Sequence, residues 1–136
     1  MSSIQSIAVS GMLAATQRLQ VSARNVANVR SDGALPDAQG NYAPDAPRAY
    51  APLRVDQVDL ATGGTRAVVT EVSPSYVATY DPSAPYANQD GMVASPNVDL
   101  ADEIVQQLMA SYTYAANARV VTSYKQMVKS LFDISA

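Results

Sequence analysis

The side chains that could carry chemistry in this sequence are acids, amides and hydroxyls, because the chain contains neither histidine nor cysteine. It therefore lacks the usual general base, the commonest metal ligand and any thiol nucleophile. A Ser-His-Asp triad and a zinc site built on cysteine or histidine are thereby excluded. We expect no catalytic residue, no cofactor-binding residue, no metal ligand and no small-molecule substrate.

One oxygen-rich stretch invites comparison with a calcium-binding loop. It contains Asp81, Asn88, Asp90 and Gly91, but the spacing of these residues does not fit the D-x-[DN]-x-[DN]-G pattern of such loops. Asp, Asn and Gly next to proline are also typical of tight turns. The stretch therefore predicts turns rather than a metal site.

The neighbouring carboxylates of Asp102 and Glu103 are the second candidate, as an acid–base pair. Adjacent residues on a helix point in different directions, which separates two such groups. Acidic residues in a first helical turn are also stabilised by the positive end of the helix dipole. The pair therefore predicts the beginning of a helix.

Charge and hydropathy limit the possible partners. The net charge is −3, and only 15% of the residues are charged while 48% are hydrophobic. The acidic balance argues against nucleic-acid binding, and so few charges predict a surface buried against other proteins. No apolar run is long enough for a transmembrane segment, and the first residues do not resemble a cleaved signal peptide.

Proline divides the chain into three parts. All eight prolines lie between Pro36 and Pro96, and proline is incompatible with a helix interior. We therefore predict an N-terminal helix within 1–30, a Pro/Gly-rich loop and small β region over 31–98, and a C-terminal helix within 99–136.

Both terminal helices carry an apolar row at near-heptad spacing. The first helix is predicted from about Ser3 to Val29, with Gly33 just beyond its end, and the second from about Asp99, as N-cap, to Ile134. We expect the helices to form a coiled-coil-like pair, parallel or antiparallel, with further subunits covering the remaining apolar side. The rows comprise Ile4, Ala8, Met12, Ala15, Leu19, Ser22, Val26 and Val29, and Ile104, Leu108, Ser111, Ala115, Ala118, Val121, Lys125, Val128 and Phe132.

The middle region predicts a small amount of β structure. Segments 53–58 and 67–72 alternate like strands, and Thr62-Gly63-Gly64-Thr65 between them is typical of a hairpin turn. Segment 76–80 predicts a third strand and 81–96 predicts turns. Segment 33–52 predicts a loop or an arm that becomes ordered on assembly. The predicted fold class is mainly α with a small β insertion.

Several motifs resemble a known family. The segment from Ser10 to Leu19, the Asn25-Val26-Ala27-Asn28 step and Ser31-Asp32-Gly33 resemble the N-terminal motif of flagellar rod and hook proteins, with Ser31 in place of the usual threonine. Segments 80–93, 96–99 and 103–127 are similar to proximal rod proteins of the FlgC type. The chain departs from them at Ala84-Pro85, at Met92, and throughout 34–52.

This resemblance implies a non-catalytic structural subunit of the bacterial flagellar basal-body rod. Such subunits polymerise through their terminal helices around the export channel, with copies of themselves and other rod proteins as partners. They pass through the flagellar type III export apparatus without a cleaved signal and assemble in the periplasm. The alternatives are another axial flagellar component, such as another rod or hook-type protein, and a helical adaptor that binds one partner.

The matched motifs also indicate which residues form the assembly interface. Among them, we expect Asn25, Asn28 and Asn117 to form hydrogen bonds across subunits and so to fix the register. The complete predicted interface is Gly11, Leu19, Asn25, Val26, Ala27, Asn28, Gly33, Asn97, Ile104, Leu108, Ser111, Tyr114, Ala115, Asn117, Ala118, Val121 and Met127.

Overall fold

A computed structural model describes residues 4–134 and contains two long helices that flank two short β-hairpins. This confirms the predicted fold class. Across the described residues, neither helix is both long and apolar enough to cross a membrane. In chain order the elements are α1 (Ile4–Ala27), β1 (Leu53–Asp59), β2 (Thr65–Glu71), β3 (Tyr76–Tyr80), β4 (Met92–Pro96) and α2 (Leu100–Ile134).

The helix limits agree with prediction to within two residues. Asp99 caps α2, since its Oδ1 accepts hydrogen bonds from the backbone N–H groups of Ala101 (2.8 Å) and Asp102 (3.3 Å). At the end of α1, the backbone N–H of Asn28 still donates to the carbonyl of Arg24 at 3.1 Å. The chain then leaves the helix through a turn that leads to Gly33.

The two helices pack against each other in an antiparallel pair. Near the end of α1, Ser22 Oγ donates to the backbone carbonyl of Glu103, in the first turn of α2, at 3.0 Å. Gly11, in the first half of α1, lies against Asn117, in the middle of α2. Because α2 has 35 residues and α1 only 24, the last turns of α2 extend past the beginning of α1.

The first hairpin lies where the Gly-Gly turn predicts it. β1 and β2 pair antiparallel from Leu53 opposite Glu71 to Asp59 opposite Thr65. Gly64 has a φ of 93°, a left-handed conformation that glycine adopts without strain. The hairpin packs on α1, and the Thr65 N–H donates to Ser10 Oγ at 3.1 Å.

The sequence predicts only one of the two strands of the second hairpin, β3. The prediction of turns is wrong for Met92–Pro96, which forms β4 and pairs antiparallel with β3. Ala94 also exchanges two backbone hydrogen bonds with Gly33, at 2.9 and 2.8 Å. These non-local partners bury Val93 and Ala94, and no local pattern in the sequence indicates them.

The buried apolar core contains only small side chains. No apolar side chain larger than valine is fully buried within residues 4–134, whereas many leucine, isoleucine, methionine and tyrosine side chains are exposed. Small side chains let helix backbones approach closely but remove little apolar surface from water. The core consists of Ala8, Ala14, Ala15, Val21, Ala34, Val93, Ala94 and Ala110.

Candidate assembly surfaces

Asn25 joins three parts of the chain in one hydrogen-bond network. Its side chain is 1% exposed. The amide nitrogen donates to the Leu53 carbonyl (2.7 Å) and to Glu103 Oε1 (2.6 Å). The amide oxygen accepts from Tyr50 Oη (2.9 Å) and from the Leu53 N–H (3.0 Å). Because an amide offers two donors and two acceptor sites, Asn25 is fully satisfied within one subunit.

All four hydrogen bonds of the Asn25 amide are therefore made within the chain, and a bond from Asn25 to another subunit stays a prediction. Its network fixes the beginning of β1 and the first turn of α2 against α1. The side chain of Asn28 bonds locally, donating to the Arg24 carbonyl (2.9 Å) and accepting from Ser31 Oγ (3.2 Å). This arrangement is typical of a helix end, and a role for Asn28 between subunits stays a prediction.

Tyr50 contributes a titratable hydroxyl to this network. Burial raises the pKa of its hydroxyl above the usual 10.0, the positive charge of Arg24 opposes the shift, and Glu103 adds to it. The folded state therefore holds the Tyr50 proton more tightly than the unfolded state does. The associated stability is complete below about pH 10 and is lost as the pH rises through the raised folded value.

We expect Tyr50→Phe to weaken this alkaline loss of stability. The measurement is the free energy of unfolding from urea titrations between neutral pH and pH 11, compared between wild type and Tyr50→Phe. The difference between the two proteins should shrink as the pH passes the Tyr50 pKa, because wild type alone loses the contribution of that proton. A constant difference over this range would contradict the assignment.

Gly11 and Asn117 lie against each other where the two helices pack closely. A Cβ atom at Gly11 would lie 2.7 Å from Asn117 Nδ2 and 2.8 Å from its Oδ1, well inside normal contact distance. Asn117 Nδ2 donates to the Thr113 carbonyl of its own helix at 2.9 Å. The structure therefore places Asn117 in the intrachain helix contact, where its bulk is accommodated by the missing side chain of Gly11.

The face that α2 turns toward α1 differs from the predicted row. Ala110 is buried, and Glu103, Asn117 and Val121 are half-buried on this inner face. Ile104 and Leu108 begin the predicted row, but they are 64% and 53% exposed. The inner face near the beginning of α2 therefore carries polar or small side chains. Glu103 can lie there because Ser22 donates a hydrogen bond to its backbone carbonyl and Asn25 donates one to its carboxylate.

The outer side of α2 is correspondingly apolar. Val105, Leu108 and Tyr112 follow one another at helical spacing and are all exposed, Tyr112 by 68%. Residues 104–118 contain no charged side chain at all. A solvent-facing helix normally carries charges on its outer face, so this surface has the composition of an interface.

The other predicted interface residues fall into two groups. Asn97 is half-buried and tied within the chain, since its Nδ2 donates to the Pro74 carbonyl at 2.9 Å. Gly33 is buried in its backbone pairing with Ala94, and Val26 and Ala118 are half-buried. The exposed residues, available to a second subunit, are Leu19, Ala27, Ser111, Tyr114, Ala115 and Met127.

The calcium-loop candidate and the Asp102/Glu103 pair both form hydrogen bonds that stabilise the fold. Asp81 Oδ1 accepts from the N–H and Oγ of Ser83, and these hydrogen bonds lower the pKa of Asp81. Asp102 is exposed while Glu103 turns toward Asn25. Among the described residues, no three His, Cys, Asp or Glu side chains are grouped so that they could hold a metal ion.

The sequence is similar to those of known proteins along most of its length. The sequence-family model for the C-terminal region of flagellar basal body rod FlgEFG proteins matches residues 89–134, which include β4 and α2. The flagellar basal-body rod protein FlgC of Agrobacterium fabrum is 31% identical, over 98% of this chain and 94% of that protein. FlgC of Salmonella typhimurium is 36% identical over 90% and 88%, and that of Yersinia enterocolitica 36% over 92% and 91%. The chain therefore belongs to the FlgC family of flagellar basal-body rod proteins, and it is a structural subunit of the flagellar rod.

Proposed function

We propose that this subunit polymerises through its terminal helices to build the proximal part of the rod, the axial drive shaft around the export channel. Its partners are copies of itself and other rod proteins. The chain reaches the periplasm through the flagellar type III export apparatus, without a cleaved signal peptide, and it performs no catalysis. Its family membership and the surface properties of the helix pair support this proposal.

The observation that carries the proposal is the inverted distribution of side chains on α2. The inner face holds Glu103, Ala110 and Asn117, whereas the outer face holds Val105, Leu108 and Tyr112. Burying a large apolar side chain contributes about 1.5–3 kcal/mol. Most of the apolar burial available to α2 is therefore gained only when other subunits cover the pair.

Leu108→Asp tests this proposal. The side chain is exposed, so we expect the free energy of unfolding of the isolated subunit to change by no more than about 0.5 kcal/mol. Rod assembly should fail, because a carboxylate would have to be buried between subunits without a partner. The measurements are swimming motility and the number of rod-bearing basal bodies counted by electron microscopy.

Gln57→Asp provides the matched control, since Gln57 is exposed and lies on the first hairpin, outside α2. It should leave both motility and rod number unchanged. Normal rods in the Leu108→Asp strain would contradict assembly through the outer face of α2. If the protein were instead an adaptor that binds a single partner, the cells would be motile and their isolated basal bodies would not contain the subunit.

A further inference from the structure

The helix pair is covered on one side and open on the other. β1 and β2 pack on α1, while α2 packs on no helix or strand within residues 4–134 except α1. On the side away from the first hairpin, an open groove of about 300 Å³ lies between the two helices. This α1/α2 groove is lined by Ala15, Thr16, Leu19, Ala110, Ser111 and Tyr114.

The floor and rim of the groove suit an apolar helix. Ala15 and Ala110 are fully buried at its floor, and small residues there allow the side chains of another helix to enter between the two backbones. No residue that lines the groove is charged. A charged occupant would lose its hydration without gaining an ionic partner, so the groove selects against one.

The chain itself displays a segment of this kind. The α2 ridge, formed by Val105, Leu108 and Tyr112, is exposed and lies in the charge-free stretch 104–118. The last turns of α2 are less suitable, since they contain Lys125, Lys129 and Asp133. The ridge spans 105–112 and so overlaps in height along the pair with the groove, whose α2 residues span 110–114.

We propose that the α2 ridge of one subunit inserts into the α1/α2 groove of a second copy beside it, at the same axial level. This inference rests on the proposed function and specifies its lateral contact. Ridge and groove are different surfaces, so the contact is head-to-tail and continues from copy to copy instead of closing a two-fold dimer. Side-by-side copies in one orientation would form a ring or a shallow helix.

The natural absence of cysteine allows a direct test. Two single variants, Thr16→Cys in the groove and Leu108→Cys on the ridge, are produced together in one cell. Basal bodies are isolated, treated with a short bismaleimide and analysed by mass spectrometry. We expect covalent dimers that join one Thr16→Cys chain to one Leu108→Cys chain, and no dimers when either variant is produced alone. Ser111→Cys, a second conservative change in the groove, should replace Thr16→Cys with the same result.

Three outcomes would overturn the inference. Dimers from Leu108→Cys alone would indicate a two-fold contact between ridges. Dimers between Thr16→Cys and Leu13→Cys, with none to Leu108→Cys, would place α1 of the neighbour in the groove. Basal bodies that contain both variants but yield no dimers would exclude the contact while leaving the proposed function intact.

By contrast, absence of the wild-type chain from basal bodies would contradict the proposed function itself. Gln57→Cys with Leu108→Cys should yield no dimers and serves as the background.

Discussion

Replacing Asn25 by alanine should lower the free energy of unfolding of the isolated subunit by about 4 kcal/mol. The substitution removes four hydrogen bonds and leaves the Leu53 N–H and carbonyl, the Tyr50 hydroxyl and one Glu103 oxygen without their buried partner. Each unsatisfied buried group costs about 1–3 kcal/mol, offset in part when water enters. Since a small domain is stable by only about 5–15 kcal/mol, this loss would remove a large fraction of its stability.

Asn28→Ala is the matched control for Asn25→Ala, because it removes the same side chain three residues away. The bonds of Asn28 are local and partly exposed, so its loss should cost about 1 kcal/mol or less. Urea unfolding followed by circular dichroism measures both variants. Similar free energies for the two would show that the Asn25 network contributes little.

Gly11→Leu should be similarly damaging, costing about 3 kcal/mol. The added side chain would begin 2.7 Å from Asn117 Nδ2 and would have to push the two helices apart. Gly11→Ala should cost less, since the Asn117 side chain can rotate away and alanine gains about 1 kcal/mol in helix propensity over glycine. Thermal unfolding of the three proteins gives the comparison.

The Gly11→Ala/Asn117→Ala double variant separates steric overlap from other effects. Removing the Asn117 amide makes room for the new methyl group, so the double variant should be more stable than the sum of the single changes predicts. Additive effects would mean that Gly11 and Asn117 do not determine the helix separation. Rod counts in the same strains show whether this spacing is also needed in the assembled structure.

The limits of the helices and the first hairpin could be predicted because their signals are local. Proline confined to the middle of the chain, Asp99 as N-cap and the Gly63-Gly64 turn act through neighbouring residues. β4 could not be predicted, because Val93 and Ala94 are buried by β3 and by Gly33, which is about sixty residues away in the chain.

The orientation of α2 could not be predicted for a different reason. Hydrophobic periodicity indicates which residues share a face, but it does not indicate whether that face meets the same chain or another subunit. Ile104 and Leu108 are strongly apolar and yet face outward. Glu103 faces inward because Asn25 donates a hydrogen bond to its carboxylate. The family motifs pointed to Asn25 and Asn117, although the structure gives both an intrachain role.

The alanine-rich core also determines how temperature acts on the protein. The change in heat capacity on burial follows the apolar area removed from water. Ala8, Ala14, Ala15 and Ala110 contribute little area, whereas Leu108 and Tyr112 would contribute much more when another subunit covers them. Association should therefore contribute a larger share of the total heat-capacity change than in a protein whose large apolar side chains are buried within one chain. Cooling weakens apolar contacts. The contacts between subunits should therefore weaken on cooling before the fold of the single subunit does.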